Sequence, residues 1–394
     1  MELTGWLVNQ KEARGELVVL WGDKFKVLER NVIRADVQEK VVSKNAKFEE
    51  RIQYGFRHFI PIDSDYFTIN LLHESEITPL YKCNIKGAFE VIEGENGWLY
   101  LDNDTNKSVE QFQGKVKLTR AAKKEWINYM RDFTALTESL NIPSCFLVAP
   151  SKEYVVTENY PIGEFKNTPL QQLEKIMIKG FPLLVPSESL KKYVKPTFRV
   201  CDTHWNAHGA MVATLEMCAH LNLDAEEIKS HFSEDVYETK EVGGDLGAKL
   251  FPPKTHPESI LTSHNYRDYV LYDNALPNFG RLIHISNSNA MLNKTLIFFG
   301  SSSAYSMFNY VYRIFRNTVF FHTAGSIDKS VLEKISPDYL VAQSNARFLV
   351  RAPSTNIQIN SIVNKKKKFE LSDVEIESTN CEIDIEINKI LINL

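Results

Sequence analysis

The sequence predicts an α/β protein: a three-layer domain with a mostly parallel sheet, an N-terminal β-sandwich-like module before it and a C-terminal β segment after it. Three observations predict this. From about residue 88, short continuous apolar runs alternate with stretches of helical periodicity, as buried parallel strands and their crossover helices do. Residues 1–82 instead carry brief strand-like runs broken by Gly15 and Gly22-Asp23. Residues 356–394 return to an alternating pattern. The expected domains are therefore 1–82, 83–355 and 356–394, and 394 residues exceed one ordinary domain.

In the first module, Trp6-Leu7-Val8, Glu16–Trp21 and Phe25–Leu28 read as strands, and Phe56–Ile60 is a further one closed by Pro61. Trp6, Trp21 and Tyr54 belong either to a sandwich core or to an aromatic sugar-binding face. Leu118–Leu140 is a long helix, with Ala122, Trp126, Met130, Phe133, Leu136 and Leu140 at helical spacing. Cys145–Val148 is a buried strand, Leu170–Ile178 a helix, and Pro182–Val185 a strand. Asn206–His220 is a helix, and residues 222–290 form a long irregular stretch of the kind used as a lid or groove. Leu296–Phe299, Val319–Phe321 and Tyr339–Val341 complete the sheet, with a helix at Met307–Phe315. From Cys381 to Ile392, Ile383, Ile385 and Ile387 alternate with Asp384, Glu386 and Asn388, the period of a strand with one buried face.

Hydrophobic residues make up 43% and charged residues 24%, the balance of a soluble globular chain. A net charge of −4 argues against nucleic acid or an anionic membrane as partner. Lys365–Lys368 is the one dense basic run and reads as a solvated turn. Five cysteines, with no Cys-x-x-Cys, suit a reducing compartment. Met1–Trp6 has no signal-peptide character and no run is long enough to span a membrane, so a cytoplasmic protein is the expectation.

The chemistry concentrates in Asp202-Thr203-His204-Trp205. In an extended segment a carboxylate and an imidazole two residues apart point to the same side, so Asp202 can hold one ring nitrogen and leave the other to take a proton. The nucleophile that such a pair serves is sought in Gly300-Ser301-Ser302-Ser303-Ala304-Tyr305, where an apolar strand gives way to a helix. Backbone N–H groups at that helix start can bind a developing oxyanion. Cys201, Asp202, His204 and His208 also cluster, but Trp205 stands where His-Glu-x-x-His needs its Glu and no third ligand is evident, so no metal is expected. Asp102, Asp104 and Asn106 imitate a Ca²⁺ loop, but Lys107 and Gln113 occupy its Gly and Glu positions.

Asp-x-His-Trp ahead of a strand–Gly-x-Ser element resembles the alginate O-acetyltransferase branch of the SGNH/GDSL hydrolases. Asn96–Leu101 is similar to that family's opening strand, Val148–Glu153 with Tyr160-Pro161 to its Pro-x-Lys segment, and Gly244-Asp245-Leu246 to an element between its catalytic motifs. Pro337–Val341 with Arg347–Leu349 is similar to its last strand and turn, so the resemblance covers about residues 88–353. Gly5-Trp6-Leu7, Arg34–Val37 and Gly55-Phe56 are similar to β-sandwich modules that accompany glycan-synthesis enzymes. Two positions depart from the pattern: Ser301 replaces the acid before the nucleophile, and Ala346 replaces an acid before Arg347.

The resemblance implies an SGNH-like, flavodoxin-like fold and an O-acetyltransferase acting on a bacterial surface polysaccharide such as a capsule. By its Gly-x-Ser spacing Ser302 is the nucleophile, with Ser303 as the alternative, His204 the base and Asp202 its orienting acid. Trp205, Tyr305, Ser303 and Lys152 are assigned to substrate, Lys152 gripping an acidic sugar or a CoA phosphate. A cytoplasmic site implies acetyl-CoA as donor and no bound cofactor. Two rival readings share the fold: a carbohydrate acetylesterase with the same triad, and a glycan-binding protein of reduced activity.

Overall fold

The computed structural model describes residues 1–11, 14–62, 64, 66–84, 91–163, 165–250, 252–366 and 382–393. The chain divides into two compact units, Met1–Phe89 with Leu250–Pro253, and Glu90–Lys249 with Lys254–Leu394.

The first unit pairs β1 (Glu2–Trp6) with β4 (Gly55–Phe59), and builds a four-stranded antiparallel sheet in the order β3 (Lys24–Val27), β2 (Glu16–Trp21), β5 (Tyr66–His73), β6 (Glu76–Asn84). A short helix, α1 (Ala35–Lys40), lies between β3 and β4. The expected boundary at residue 82 falls inside β6 and moves to residue 89, because β6 pairs along its length with β5. Trp21 and Tyr54 are buried, which assigns them to packing; Trp6 is exposed.

The second unit opens with β7 (Val91–Glu93), β8 (Leu99–Leu101), α2 (Ser108–Phe112), α3 (Arg120–Leu140), β9 (Ser144–Ala149), α4 (Lys152–Val155), α5 (Pro169–Glu174), β10 (Leu183–Leu184), α6 (Ser187–Lys192) and α7 (Ala207–His220). There follow α8 (Ala225–His231), β11 (Tyr237–Val242), β12 (His256–Leu261), β13 (Val270–Asp273), β14 (Leu282–Ser286), β15 (Leu292–Gly300) and α9 (Ala304–Ile314). Last come β16 (Phe315–His322), α10 (Lys329–Ile335), β17 (Tyr339–Asn345), α11 (Ile359–Lys366) and α12 (Glu382–Ile392).

Its seven-stranded sheet runs β10-β9-β17-β15-β16-β14-β13, parallel from β10 to β16 and antiparallel at β14 and β13. Successive residues of β15 face opposite layers. Leu296 and Phe298 pack with α7 and α9, while Ile297 and Phe299 pack with Trp126, Met130 and Phe133 of α3. This is the three-layer α/β arrangement expected. Thr119 caps α3 by accepting from the Ala122 N–H, and Asn141 closes it in the left-handed conformation.

Two expectations are corrected here. Residues 222–290 are not one irregular stretch: they supply α8, the β11–β12 hairpin and the two antiparallel strands that extend the central sheet. The C-terminal segment is not a β tail but the helix α12, and α11 precedes it. Ile387 and Leu391, one helical turn apart, are buried in the same cluster as α3, so burial at period 3.6 overrides the period-2 pattern of isoleucines. The tail thus belongs to the α/β unit rather than to a β module. Cys381 and Lys367-Lys368 lie outside the described residues.

Candidate active site

Parallel strands β9, β17 and β15 end side by side, the edge on which open α/β sheets place ligands. Lys152 follows β9, Asn345 ends β17, and Ser301–Ser303 follow Gly300 at the end of β15.

Residues 199–204 form a closed loop rather than the extended segment expected. Phe198 and Trp205 pair across its base, the Arg199 N–H donates to the His204 carbonyl (3.2 Å), and the Asn206 N–H donates to the Thr197 carbonyl (2.9 Å). The next helix starts at once, capped by the Asn206 side chain, which accepts from the Gly209 N–H. Inside the loop one oxygen of Asp202 takes both the His204 backbone N–H (2.9 Å) and its ring Nδ1 (2.7 Å). The other oxygen lies 3.3 Å from Arg199 Nη1 and accepts the Asp245 N–H at 3.2 Å. Burial alone would raise the Asp202 carboxyl, but the hydrogen bond and charge of His204, helped by Arg199, hold it well below its ordinary value. It stays an anion that holds the ring by Nδ1 and can stabilise an imidazolium.

His204 Nε2 reaches Ser302 Oγ at 2.8 Å. Asp202, His204 and Ser302 are therefore brought together, though the serine is 98 residues from the histidine. Ser303 is turned away: it is buried and its hydroxyl donates to Asn345 Oδ1 at 2.9 Å. Ser301 is buried as well. Its N–H donates to Gln343 Oε1 (2.7 Å) and its hydroxyl lies 3.0 Å from both Gln343 Oε1 and Asn345 Oδ1. Ser302 is thus the serine facing the histidine, and its neighbours are pinned to β17. Among the described residues the amide N–H groups of Ser302 and Ser303 donate to no protein acceptor, so both remain for an oxyanion.

The other assigned residues divide. Trp205 is 2% exposed, and its indole N–H donates to the Ser303 carbonyl (2.9 Å) and Ser306 Oγ (2.8 Å), so it props the serine turn instead of presenting a face to substrate. Tyr305 lines a cavity of about 350 Å³ with Arg199, His204, Ser302, Ile260 and Tyr310, and its hydroxyl meets His322 Nδ1 at 2.9 Å. Lys152 does not face substrate: it is 2% exposed, and its ammonium is engaged by three backbone carbonyls of the 199–202 segment. A buried ammonium already fully bonded cannot also grip an acidic sugar. Asp104 accepts from Asn106 and Ser108, which turns the loop around it.

Sequence reasoning missed the groups that brace the loop. Asp245 accepts the Thr203 N–H (2.7 Å) and hydroxyl (2.5 Å), and Glu258 accepts the Val200 N–H at 2.7 Å. Gly244-Asp245-Leu246 stood out only by resemblance; spacing gives no hint that it wraps residue 202. Asp202, His204 and Asp245 bring their ligand atoms within 4.8 Å of one another, the one such group among the described residues, and Cys201 and His208 take no part in it.

A family profile described as the SGNH hydrolase-like domain of acetyltransferase AlgX matches residues 91–277. It agrees with the resemblance and the enzyme class expected: residues 91–277 are similar to an SGNH hydrolase-like acetyltransferase domain. The matched segment holds Asp202 and His204 and ends ahead of Ser302, whose place rests on geometry. No curated protein matches in sequence. Among solved structures, the chain is similar to PatB1 of Bacillus cereus with a sulfonyl adduct (12% identity, 66% of this chain and 96% of that one, TM-score 0.47). It is also similar to a DHHW family protein from Eubacterium siraeum (13%, 72% and 99%, 0.44) and to the O-acetyltransferase domain of Pseudomonas putida AlgJ (16%, 71% and 99%, 0.42). Likeness this remote bears on neither substrate nor mechanism.

Proposed function

We propose that this chain, whose residues 91–277 are similar to the SGNH hydrolase-like domain of acetyltransferase AlgX, is an O-acetyltransferase acting on hydroxyls of a bacterial surface polysaccharide, such as a capsule, or its precursor. The observation that carries the mechanism is the continuous line Asp202–His204–Ser302, with contacts of 2.7 and 2.8 Å.

His204 Nε2 removes the Ser302 proton as Oγ attacks the acetyl carbonyl, and Asp202 stabilises the imidazolium. The oxyanion forms beside the free amides of Ser302 and Ser303. Collapse releases the leaving group, which takes its proton from His204, and leaves acetyl-Ser302. A sugar hydroxyl then attacks that ester while His204 again takes the proton, and the serine is regenerated. The cavity beside Ser302, walled by Tyr305, Tyr310 and Ile260, has room for one sugar ring at the ester. Acetyl-CoA is the proposed donor, in keeping with a cytoplasmic site of action.

Partition of the acetyl group tests the reading. With labelled acetyl-CoA and a hydroxyl-rich oligosaccharide, label accumulates in the saccharide in preference to free acetate. Label found wholly in acetate, whatever the saccharide concentration, identifies an esterase and overturns transfer.

A further inference from the structure

Lys152, like Trp205 and Ser303, has surroundings that contradict its assignment to substrate, and its surroundings define another task. It starts α4, immediately past the end of β9. Its ammonium has three N–H donors. Each has a partner: the carbonyls of Arg199 (2.9 Å), Val200 (3.1 Å) and Asp202 (2.6 Å). The remaining carbonyl of that run, Cys201, is held by the N–H groups of Leu246 and Gly247. The rings of Trp98 and Tyr100 lie 5.5 and 5.2 Å from Nζ and close the site to water. The Val200 carbonyl also accepts the Leu99 N–H (3.0 Å), but the Arg199 and Asp202 carbonyls have Lys152 as their donor, and three buried carbonyl dipoles turned onto one point repel one another unless a cation sits there.

We propose that Lys152 is a positioning residue, its ammonium being the pin about which the 199–204 loop is wound so that Asp202 and His204 meet Ser302. This rests on the acyl-serine reading above. It also carries a pH dependence. Burial pulls the Lys152 ammonium down to about 8, against the carboxylates of Asp202, Glu153 and Asp245 and the Cys201 thiol, which favour its charge; the Glu258 carboxyl is also within its field. Deprotonation leaves two donors and a lone pair facing three carbonyls, so one carbonyl loses this donor and meets a repulsive lone pair. The pin is sound below about pH 8 and loosens above it.

The test uses the full chain and 4-nitrophenyl acetate, with kcat and KM followed across pH. Lys152→Met is expected to lower kcat by about 100-fold, the cost of a small misplacement of catalytic groups, with KM changed less than about threefold. The fall in wild-type kcat near pH 8 should be missing from the variant. A variant with wild-type kcat and the same alkaline limb overturns the proposal. If Lys152→Met does not fold, the ¹⁵N-lysine signal of the buried ammonium in the wild type decides. Titration near pH 8 in step with kcat supports the pin; an ammonium that stays charged to pH 10 (~2 units beyond) while kcat falls overturns it. A Ser302→Ala protein as fast as wild type sinks the acyl-serine reading instead, and the ammonium titration still reports on Lys152.

Discussion

Gly244 lies against Asp202 so closely that a Cβ at residue 244 would sit 2.5 Å from the Asp202 Cβ and 2.3 Å from the Cys201 carbonyl oxygen. The turn carrying Asp245 therefore reaches the 199–204 loop only because residue 244 has no side chain. Gly244→Ala must move one strand of backbone or the other. It should cost about 1–3 kcal/mol of stability, the usual range for overpacking, and should lower turnover far more than that loss suggests. Thermal unfolding and ester hydrolysis measured on one preparation check this; a variant with wild-type turnover would show that Asp245 is dispensable to the triad.

Asp202→Asn keeps the shape of the side chain and removes the charge that orients His204. The folded protein should lose about 10⁴-fold in kcat, the scale set by the corresponding change in a serine protease triad. A loss below about tenfold would mean that Asp202 only shapes the loop.

The serine register is tested by pairing two variants. Ser303→Ala removes a hydroxyl bonded to Asn345 and should leave turnover within about tenfold of wild type, a loss no larger than one hydrogen bond allows. Ser302→Ala should abolish it. Reversed results would move the nucleophile to Ser303.

Two buried histidines lower stability as pH falls, against the opposite effect of Glu153, whose carboxyl burial raises to about 7. Burial, aided by Lys195, lowers the His208 imidazole from 6.5 to about 4, and burial, aided by Lys366 and Arg281, does the same for His322. Their folded values lie below those of the unfolded chain, so as pH falls the unfolded chain takes up protons first. The stability they contribute is whole above about pH 6.5 and is lost progressively down to about pH 4. Because protonation of Glu153 offsets part of this loss, melting temperature should drop only modestly between pH 7 and pH 5, and His208→Gln should flatten that slope. An unchanged slope would show that other groups govern it.

The core of the site was legible because its signals are local. Asp202 and His204 sit two apart, Asn206 caps a helix directly after them, and an apolar strand stops at Gly300 before hydroxyl residues. Triple hydrogen bonding of Lys152 was not legible, since a lysine beside a strand end is exposed by default and its three acceptors are backbone atoms 47 to 50 residues away. Strands β13 and β14 were hidden by their short length and by the polar residues around them. At the C-terminus the alternating isoleucines described a strand equally well, until the apolar surface beside α3 gave Ile387 and Leu391 somewhere to go. Ser301 in place of an acid stands where a hydroxyl suffices, bonded to Gln343 and Asn345.

The central claim is that Ser302 carries the acetyl group. Quenching the enzyme in acid during turnover of 4-nitrophenyl acetate or acetyl-CoA, then digesting it, should reveal one acetyl increment on the peptide holding Gly300–Tyr305, with fragmentation placing it on Ser302 and no increment in Ser302→Ala. Full turnover with that peptide unmodified at every quench time, or with the acetyl group on another residue, would contradict the account.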